Sequence, residues 1–443
     1  MEVYFMDYKK FAKDLCKFIE ESPSMFHTAA SIEKILSDKK FTLLKEKDQW
    51  DLKPGQGYFV KRNNSSVIAF VIPETLDSYH FQMSASHTDS PTFKIKAIPE
   101  LTGPADYLKL NVEAYGGMID STWLDRPLSI AGRVLVDTGN ALESRLFYLD
   151  EDVLTIPNVP IHFNRQVNDG QAFNNQIDLA PLFSCGEMKK GSFDQMVADQ
   201  LKVDVKDIKG KDLFLVNRQK GIVWGYKDEF VSSPKLDDLE CAYSTLQGFL
   251  AGDHKNKIDV YCCFDNEEVG SNTKQGAMST FLKDTLRRIN DALGKSEQDY
   301  YRAIAASFLV SADNGHAVHP NHPEKTDEAN AVFMNKGPII KEAANQKYTT
   351  DAFSRAVFVK ILEKAGVPYQ CFANRSDIVG GSTLGNLSNT QVSVHAVDIG
   401  LAQLAMHSSF ETGGSKDPYW LFEGTKQYYN TNLQIDGADQ VTF

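Results

Sequence analysis

The sequence predicts an α/β protein, a mixed, largely parallel sheet flanked by helices and interrupted by a β-rich insert. Three observations predict it. Strand-like apolar runs alternate with helical periods in the first and last parts of the chain. Between about residue 94 and residue 232 the helical period fades, and short alternating or β-branched runs replace it. The chain has 443 residues, whereas single cores stop growing at roughly 250–300. The expected organisation is a core domain in two parts, 1–93 and 233–443, with a β-rich insert at 94–232.

The elements follow in order. Residues 7–40 read as helices; "DYKKFAKDLCKFIEES" places Phe11, Leu15 and Phe18 on one stripe, and Ser22-Pro23-Ser24 breaks it. "SVIAFVIP" (66–73) and "HFQMSASH" (80–87) read as strands. In the insert, "YLKLNVEAY", "LSIAGRVLVD" and "ESRLFYLD" read as strands, with turns at Gly116-Gly117, Asp137-Thr138-Gly139 and Gln219-Lys220-Gly221. After Pro234, "DDLECAYSTLQGFLAG" carries Leu239, Ala242, Tyr243, Leu246, Phe249 and Leu250 at helical spacing and stops near Gly252. Then "KIDVYCCF" predicts a strand, "GAMSTFLKDTLRRINDAL" a helix and "AIAASFLVSA" a strand. "DAFSRAVFVKILEKAG" predicts a helix ending at Gly366, and "TQVSVHAVDIG" a strand.

Composition narrows the function. A net charge of −12 argues against nucleic acid and against an anionic membrane surface. No apolar run approaches the ~18 residues of a membrane span. The charged N-terminus lacks a signal-peptide core, so the expected location is cytoplasmic. The six cysteines form no C-x-x-C and read as reduced structural thiols.

The informative residues lie at strand ends, where open α/β sheets gather their sites. "HFQMSAS" delivers His87 and Asp89. Asp237 and Asp238 precede the helix at 239. "KIDVYCCF" delivers Asp265, Glu267 and Glu268. "ASFLVSA" delivers Asp313, then His316, His319 and His322; the last strand runs on to His407. Singly, each has an ordinary reading as a helix cap or a solvated loop residue. Together they would repel and desolvate one another unless a cation sat among them. Histidines with several carboxylates and no thiolate suit zinc, cobalt or manganese, and the ligand number points to two metals with a bridging carboxylate. Residues two apart on a strand face the same way, so His87 can bind metal while Asp89 fixes its other nitrogen. Of Glu267 and Glu268, one binds metal and the other serves as general base, which implies metal-assisted hydrolysis of an acyl compound. Local physics leaves open which does which.

These residues sit in blocks that resemble the M18 metallopeptidases, the aspartyl aminopeptidase family, in its bacterial-type branch. The blocks are "SPSMFHTAA", "SASHTDSP", "EAYGGMIDSTWLDRPLSIAGRV", "SPKLDDL", "DNEEVGS", "SADNGHAVHPN", "NKGPIIK", "GGSTLG" and "LAQLAMHS", in family order. The resemblance implies a zinc-peptidase core and two Zn2+ per subunit, with Co2+ or Mn2+ as substitutes. It implies metal ligands His87, Asp237 (bridging), Glu268, Asp313 and His407; Asp238 does not bridge. Glu267 would be the general base, and Asp89 would support His87. His162 would reach a neighbouring subunit's site, and Lys341 would pair with acidic P1 side chains. His316, His319 and Gly381 would contact substrate. Pro320 and Pro323 forbid one clean helix through His316, His319 and His322. The implied partners are peptides with a free N-terminus and eleven further copies in a homododecamer built from dimers. Phe410 stands where family members often carry Arg, and Asn158 where some carry His. Three rival functions share the residues: an aminopeptidase preferring neutral or basic P1, a di-zinc N-acyl amino acid deacylase, and an inactive oligomeric shell.

Overall fold

The structure, a computed structural model, describes residues 2–443 and the side chains from residue 8 onward. Among the described residues, one nine-stranded sheet runs in the order 42–44, 57–62, 66–71, 258–264, 81–87, 308–312, 395–400, 339–342, 370–373. Its four central strands, 258–264, 81–87, 308–312 and 395–400, are parallel. Strand 66–71 on one side and strand 339–342 on the other are antiparallel to their inner neighbours. The sheet is therefore mixed. Its parallel centre is fully buried, which is why these strands read as continuous apolar runs.

Side chains alternate between two cores. Tyr261 and Cys263 join the helices at 2–20, 25–38, 236–250, 352–365 and 417–429 on one face. Ile258, Val260, Cys262 and Phe264 pack against the helices at 281–292, 297–305 and 384–388 on the other. Each large side chain so buried contributes roughly 1.5–3 kcal/mol. Helix 352–365 starts at a reciprocal Asp351–Ser354 cap (2.8 and 3.0 Å) and stops at Gly366, whose φ is +65°.

Two expected strands are shorter than their apolar runs. Residues Glu297–Ala305 form a helix, begun by a Ser296–Asp299 capping box, so the strand begins only at Phe308. The last parallel strand begins at His395, after the short helix Leu384–Ser388. Besides these two helices, Glu297–Ala305 and Leu384–Ser388, two more go unread in the sequence, Ser192–Leu201 and Asp417–Tyr429.

A second, six-stranded sheet is drawn from 92–216 alone, in the order 142–148, 129–137, 208–216, 92–102, 108–115, 182–184. It has its own core, including Phe93, Leu110, Ile130, Phe147, Phe193 and Leu213. Gly132 is required in it: a Cβ there would lie 1.9 Å from the Asp212 carbonyl oxygen. A five-stranded third sheet joins 222–224 and 230–233 to 411–414, 402–404 and 315–316. Residues 222–233 thus pair with the C-terminal part of the chain. No described helix is long and apolar enough to cross a membrane. All six cysteines are free, with Cys185 and Cys371 exposed.

Candidate metal centre

The parallel strands set the geometry. His87 ends its strand level with Phe264 on the neighbouring strand. The turn bearing Glu267 and Glu268 therefore starts beside it, pinned by Thr88 N–H donating to Phe264 O at 2.7 Å. The strand on the other side of 81–87 delivers Asp313. Asp237 arrives from the third sheet, where strand 230–233 turns through Lys235 (φ +58°) into helix 236–250; the Asp237–Asp238 peptide is cis. His407, at φ +67°, sits in the hairpin loop between strands 402–404 and 411–414.

These residues converge. His87 Nε2 lies 3.5 Å from Asp237 Oδ1, 3.9 Å from Asp313 Oδ1 and 4.0 Å from Glu267 Oε2. His407 Nε2 lies 3.3 Å from Asp237 Oδ2 and 3.4 Å from Glu268 Oε2. Asp237 stands between the two histidines with one oxygen toward each. Three overlapping groups have ligand atoms within 4.8 Å of one another: His87, Asp237, Asp238 and Asp313; His87, Glu267 and Glu268; Asp237, Glu268 and His407.

Asp89 organises the turn opposite. Its carboxylate lies 3.4 Å from His87 Nδ1 and accepts the backbone N–H groups of Glu267 and Glu268 at 3.2 Å each. His87 Nδ1 also faces the Asp89 carbonyl oxygen at 3.1 Å. That leaves Nε2 aimed into the cluster. Gly116, at φ +76°, lets the insert approach closely, since a Cβ there would lie 3.1 Å from Glu268 Cβ.

The electrostatics ask for a cation. Burial, reinforced by Asp313, Asp89 and Asp237 against the opposing pull of His87, pushes Glu267 up to about 8. Burial and the neighbouring Asp237 push Glu268 well above its ordinary range, and burial does the same to Asp238. Burial works against a charge on His87, but Asp238 and the carboxylates it faces raise it overall. Asp237 Oδ1 and Glu268 Oε1 are buried without any hydrogen-bond partner. Unpaired buried carboxylate oxygens aimed at a common point cost several kcal/mol unless a cation meets them. Imidazole and carboxylate donors without thiolate fit zinc in a site with open positions.

The other expected residues distribute as follows. Lys341 is not a solvated loop residue: it is 2% exposed on strand 339–342. Its Nζ donates to Asn314 O at 3.1 Å and lies 3.8 Å from Asp313 Oδ2. His316, His319 and Gly381 line one cavity of about 310 Å3, shared with Lys325, Phe372, Arg375 and Leu404. The His319 and His322 rings lie 5.2 Å apart, and His322 Nδ1 faces Glu324 at 3.2 Å, but no metal-holding group among the described residues includes them. His162 is exposed in the insert and is not part of the cluster within its own subunit. Asp265 is buried, accepts the Asn266 N–H at 2.7 Å and stays outside the cluster.

Three polar residues at the centre carry no sequence signal of their own. Tyr115 OH donates to Asp89 Oδ2 at 2.7 Å and accepts from Asn266 Nδ2 at 2.8 Å. Buried Asn314 bonds Leu236 O, Glu240 and Gln403 beneath Asp313. Glu411, 1% exposed, accepts the N–H groups of Asp237 (3.0 Å) and His407 (2.6 Å). Only its place three residues past a recognised block could have pointed to Glu411.

A histidine–carboxylate cluster at the C-terminal edge of a parallel sheet defines a metal-dependent enzyme. A family profile described as Aminopeptidase I zinc metalloprotease (M18) matches residues 18–429. A probable M18 family aminopeptidase 2 from Clostridium novyi is 44% identical over 427 residues, covering 95% of this chain and 99% of the relative. An aspartyl aminopeptidase from Dictyostelium discoideum is 34% identical over 472 residues, covering 96% and 97%. The solved mApe1 dodecamer of S. cerevisiae superposes with a TM-score of 0.84 at 25% identity, covering 96% of this chain and 97% of that one. The chain belongs to the M18 family of zinc metalloproteases and is a metalloaminopeptidase, a hydrolase of peptide bonds.

Proposed function

We propose that this aminopeptidase binds two zinc ions per subunit, prefers acidic first residues and works as a homododecamer. One observation carries the two-ion reading: the Asp237 carboxylate offers Oδ1 at 3.5 Å from one histidine and Oδ2 at 3.3 Å from the other. His87 and Asp313 would hold one ion, Glu268 and His407 the second, and Asp237 would bridge them. Bound there, zinc supplies Lewis acidity toward the scissile carbonyl and lowers the pKa of water.

Glu267 is the general base in this reading. Its Oε2 reaches the cluster on the His87 side, and its backbone is held by Asp89. It takes the proton from the attacking water and passes it to the leaving amine. Asp89 keeps His87 oriented. In this reading the peptide's free α-amine would bind beside the metal positions, which would confine cleavage to the N-terminal residue. His162, exposed in the insert, is free to enter a neighbour's site and donate to a developing oxyanion, a contribution of about 3–4 kcal/mol for a single donor elsewhere.

Acidic preference is supported by the cationic Lys341 behind Asp313 and by the relative from Dictyostelium being an aspartyl aminopeptidase. His316, His319 and Gly381 form the wall of the adjoining cavity. The dodecamer is supported by the likeness to the yeast assembly.

One gel-filtered sample tests all three statements. We expect two zinc ions per chain, a mass near twelve subunits, and faster cleavage of Asp- and Glu- than of Leu-, Met- or Lys-substrates. One zinc per chain in a fully active sample would refute the two-ion reading. Faster cleavage of Leu or Lys would refute acidic preference.

A further inference from the structure

The two halves of the metal cluster are built differently. The His87 half rests on neighbouring strands of the central sheet, and the His87 side chain is 1% exposed. The His407 half rests on a hairpin loop, and the His407 side chain is 31% exposed. Strands 230–233 and 411–414 are antiparallel, and Ser233 opposite Glu411 is the last pair of their ladder. Beyond that pair the two chains diverge, one into the turn carrying Asp237, the other into the loop carrying His407. Nothing in the ladder holds those turns at a fixed separation.

Glu411 spans the gap. Its side chain accepts the backbone N–H of Asp237 through Oε2 at 3.0 Å and that of His407 through Oε1 at 2.6 Å. A single carboxylate thus fixes the backbones of two residues whose side chains face each other at 3.3 Å. Both oxygens of the carboxylate are taken up as acceptors, one toward each turn. The insert adds a second brace on the same loop. Ile119 N–H donates to His407 O at 3.0 Å, and Ser409 bonds Thr122 through both its N–H (2.9 Å) and its hydroxyl (2.6 Å).

We infer that Glu411 is a positioning residue that sets the affinity of the second metal position, the one formed by Asp237, Glu268 and His407, and that this position is the exchangeable one. Among the described residues, Glu411 is in none of the groups whose ligand atoms converge; it acts by holding the Asp237 turn and the His407 loop at coordinating distance. Replacing its carboxylate by an amide turns one of its two acceptors into a donor facing an N–H, so one turn is released. Loss of such outer partners costs roughly 10–100-fold in metal affinity. The inference rests on the two-ion reading above.

The test is zinc titration of the metal-free protein against a competing chelator, with zinc counted per chain, for the natural chain, Glu411→Gln and Glu411→Asp. The natural chain is expected to bind two ions, one more tightly. Glu411→Gln is expected to keep the tight ion and lose 10–100-fold at the other, with activity restored by excess zinc and thermal unfolding of the metal-free form unchanged. Glu411→Asp, which keeps both acceptor oxygens but shortens the reach, is expected to fall between them and serves as the reporter if Glu411→Gln does not fold. Unchanged affinity for both ions in a folded variant would overturn the inference, as would equal weakening of both. A natural chain that binds only one ion would instead remove the reading beneath it.

Discussion

The hydroxyl of Tyr115 donates to Asp89 Oδ2 at 2.7 Å, joining the first hairpin of the insert to the strand end that carries His87. Asp89 in turn holds the backbones of Glu267 and Glu268. The insert thereby reaches the Glu267–Glu268 turn through two bonds. Tyr115→Phe keeps the ring and removes the hydroxyl, leaving Asp89 and Asn266 short of a partner. A buried unmet polar group costs about 1–3 kcal/mol. Turnover is expected to fall about tenfold, with zinc content retained, as steady-state kinetics and metal analysis would show. Unchanged kcat would mean that the Asp89 turn holds without the insert.

Glu267→Gln keeps the volume of the side chain and its backbone bond to Asp89 while removing the base. Loss of a general base lowers turnover by about 10²–10⁴-fold. Because Glu267 is assigned no zinc, both ions should remain. Single-turnover assays with zinc counting check this; full activity would remove Glu267 from the role.

Lys341→Met removes a cation while keeping an unbranched stem on strand 339–342. If Lys341 reads an acidic first residue, KM for Asp- and Glu-substrates rises about 10–100-fold, the worth of a charge-assisted bond of roughly 1.5–3 kcal/mol, while Leu-substrates change little. If Lys341 only balances Asp313, 3.8 Å away, all substrates slow together and zinc is lost. Measuring KM, kcat and zinc on one preparation separates the two.

His80 gives a pH dependence far from the cluster, at the opposite end of the strand that finishes in His87. It is 1% exposed, and burial lowers its pKa from the usual 6.5 to about 4. The folded pKa lies below the unfolded one, so the unfolded chain binds the extra proton first. The stability this neutral histidine supports is complete above about 6.5 and is lost as pH falls toward 4, by roughly 3 kcal/mol at the limit. Denaturant unfolding between pH 4.5 and 7 should show a shallower slope in His80→Gln than in the natural chain; identical slopes would assign the acid sensitivity elsewhere.

Much of this centre was readable because each strand end announces itself locally. "SASHTD", "FDNEE" and "VSAD" all follow apolar runs that form parallel strands, and sheet register alone brings them together. His407 was expected where the last strand runs on, and the family block carried it as well; the strand reading was wrong in its route. It does not extend the 395–400 strand but follows a separate strand in another sheet. Glu411 and Tyr115 were illegible for a different reason. Their roles depend on hydrogen bonds to a backbone 174 positions away and to side chains 26 and 151 positions away, and nothing in local pattern encodes them. The helices at 297–305 and 417–429 were hidden because apolar content alone does not separate a short helix from a strand.

The insert also shapes how the chain comes together during synthesis. Strand 81–87 lies between 258–264 and 308–312, both made long after it, so its edges stay unpaired while the ribosome completes the insert. That insert has a core of its own, and in it Lys94 pairs with Phe214. Its fold sets its two roots, Lys94 and Phe214, side by side, which shortens the loop to be closed between the halves of the enzyme and so lowers the entropy of closure. The piece that splits the enzyme in sequence is the piece that lets its halves find each other.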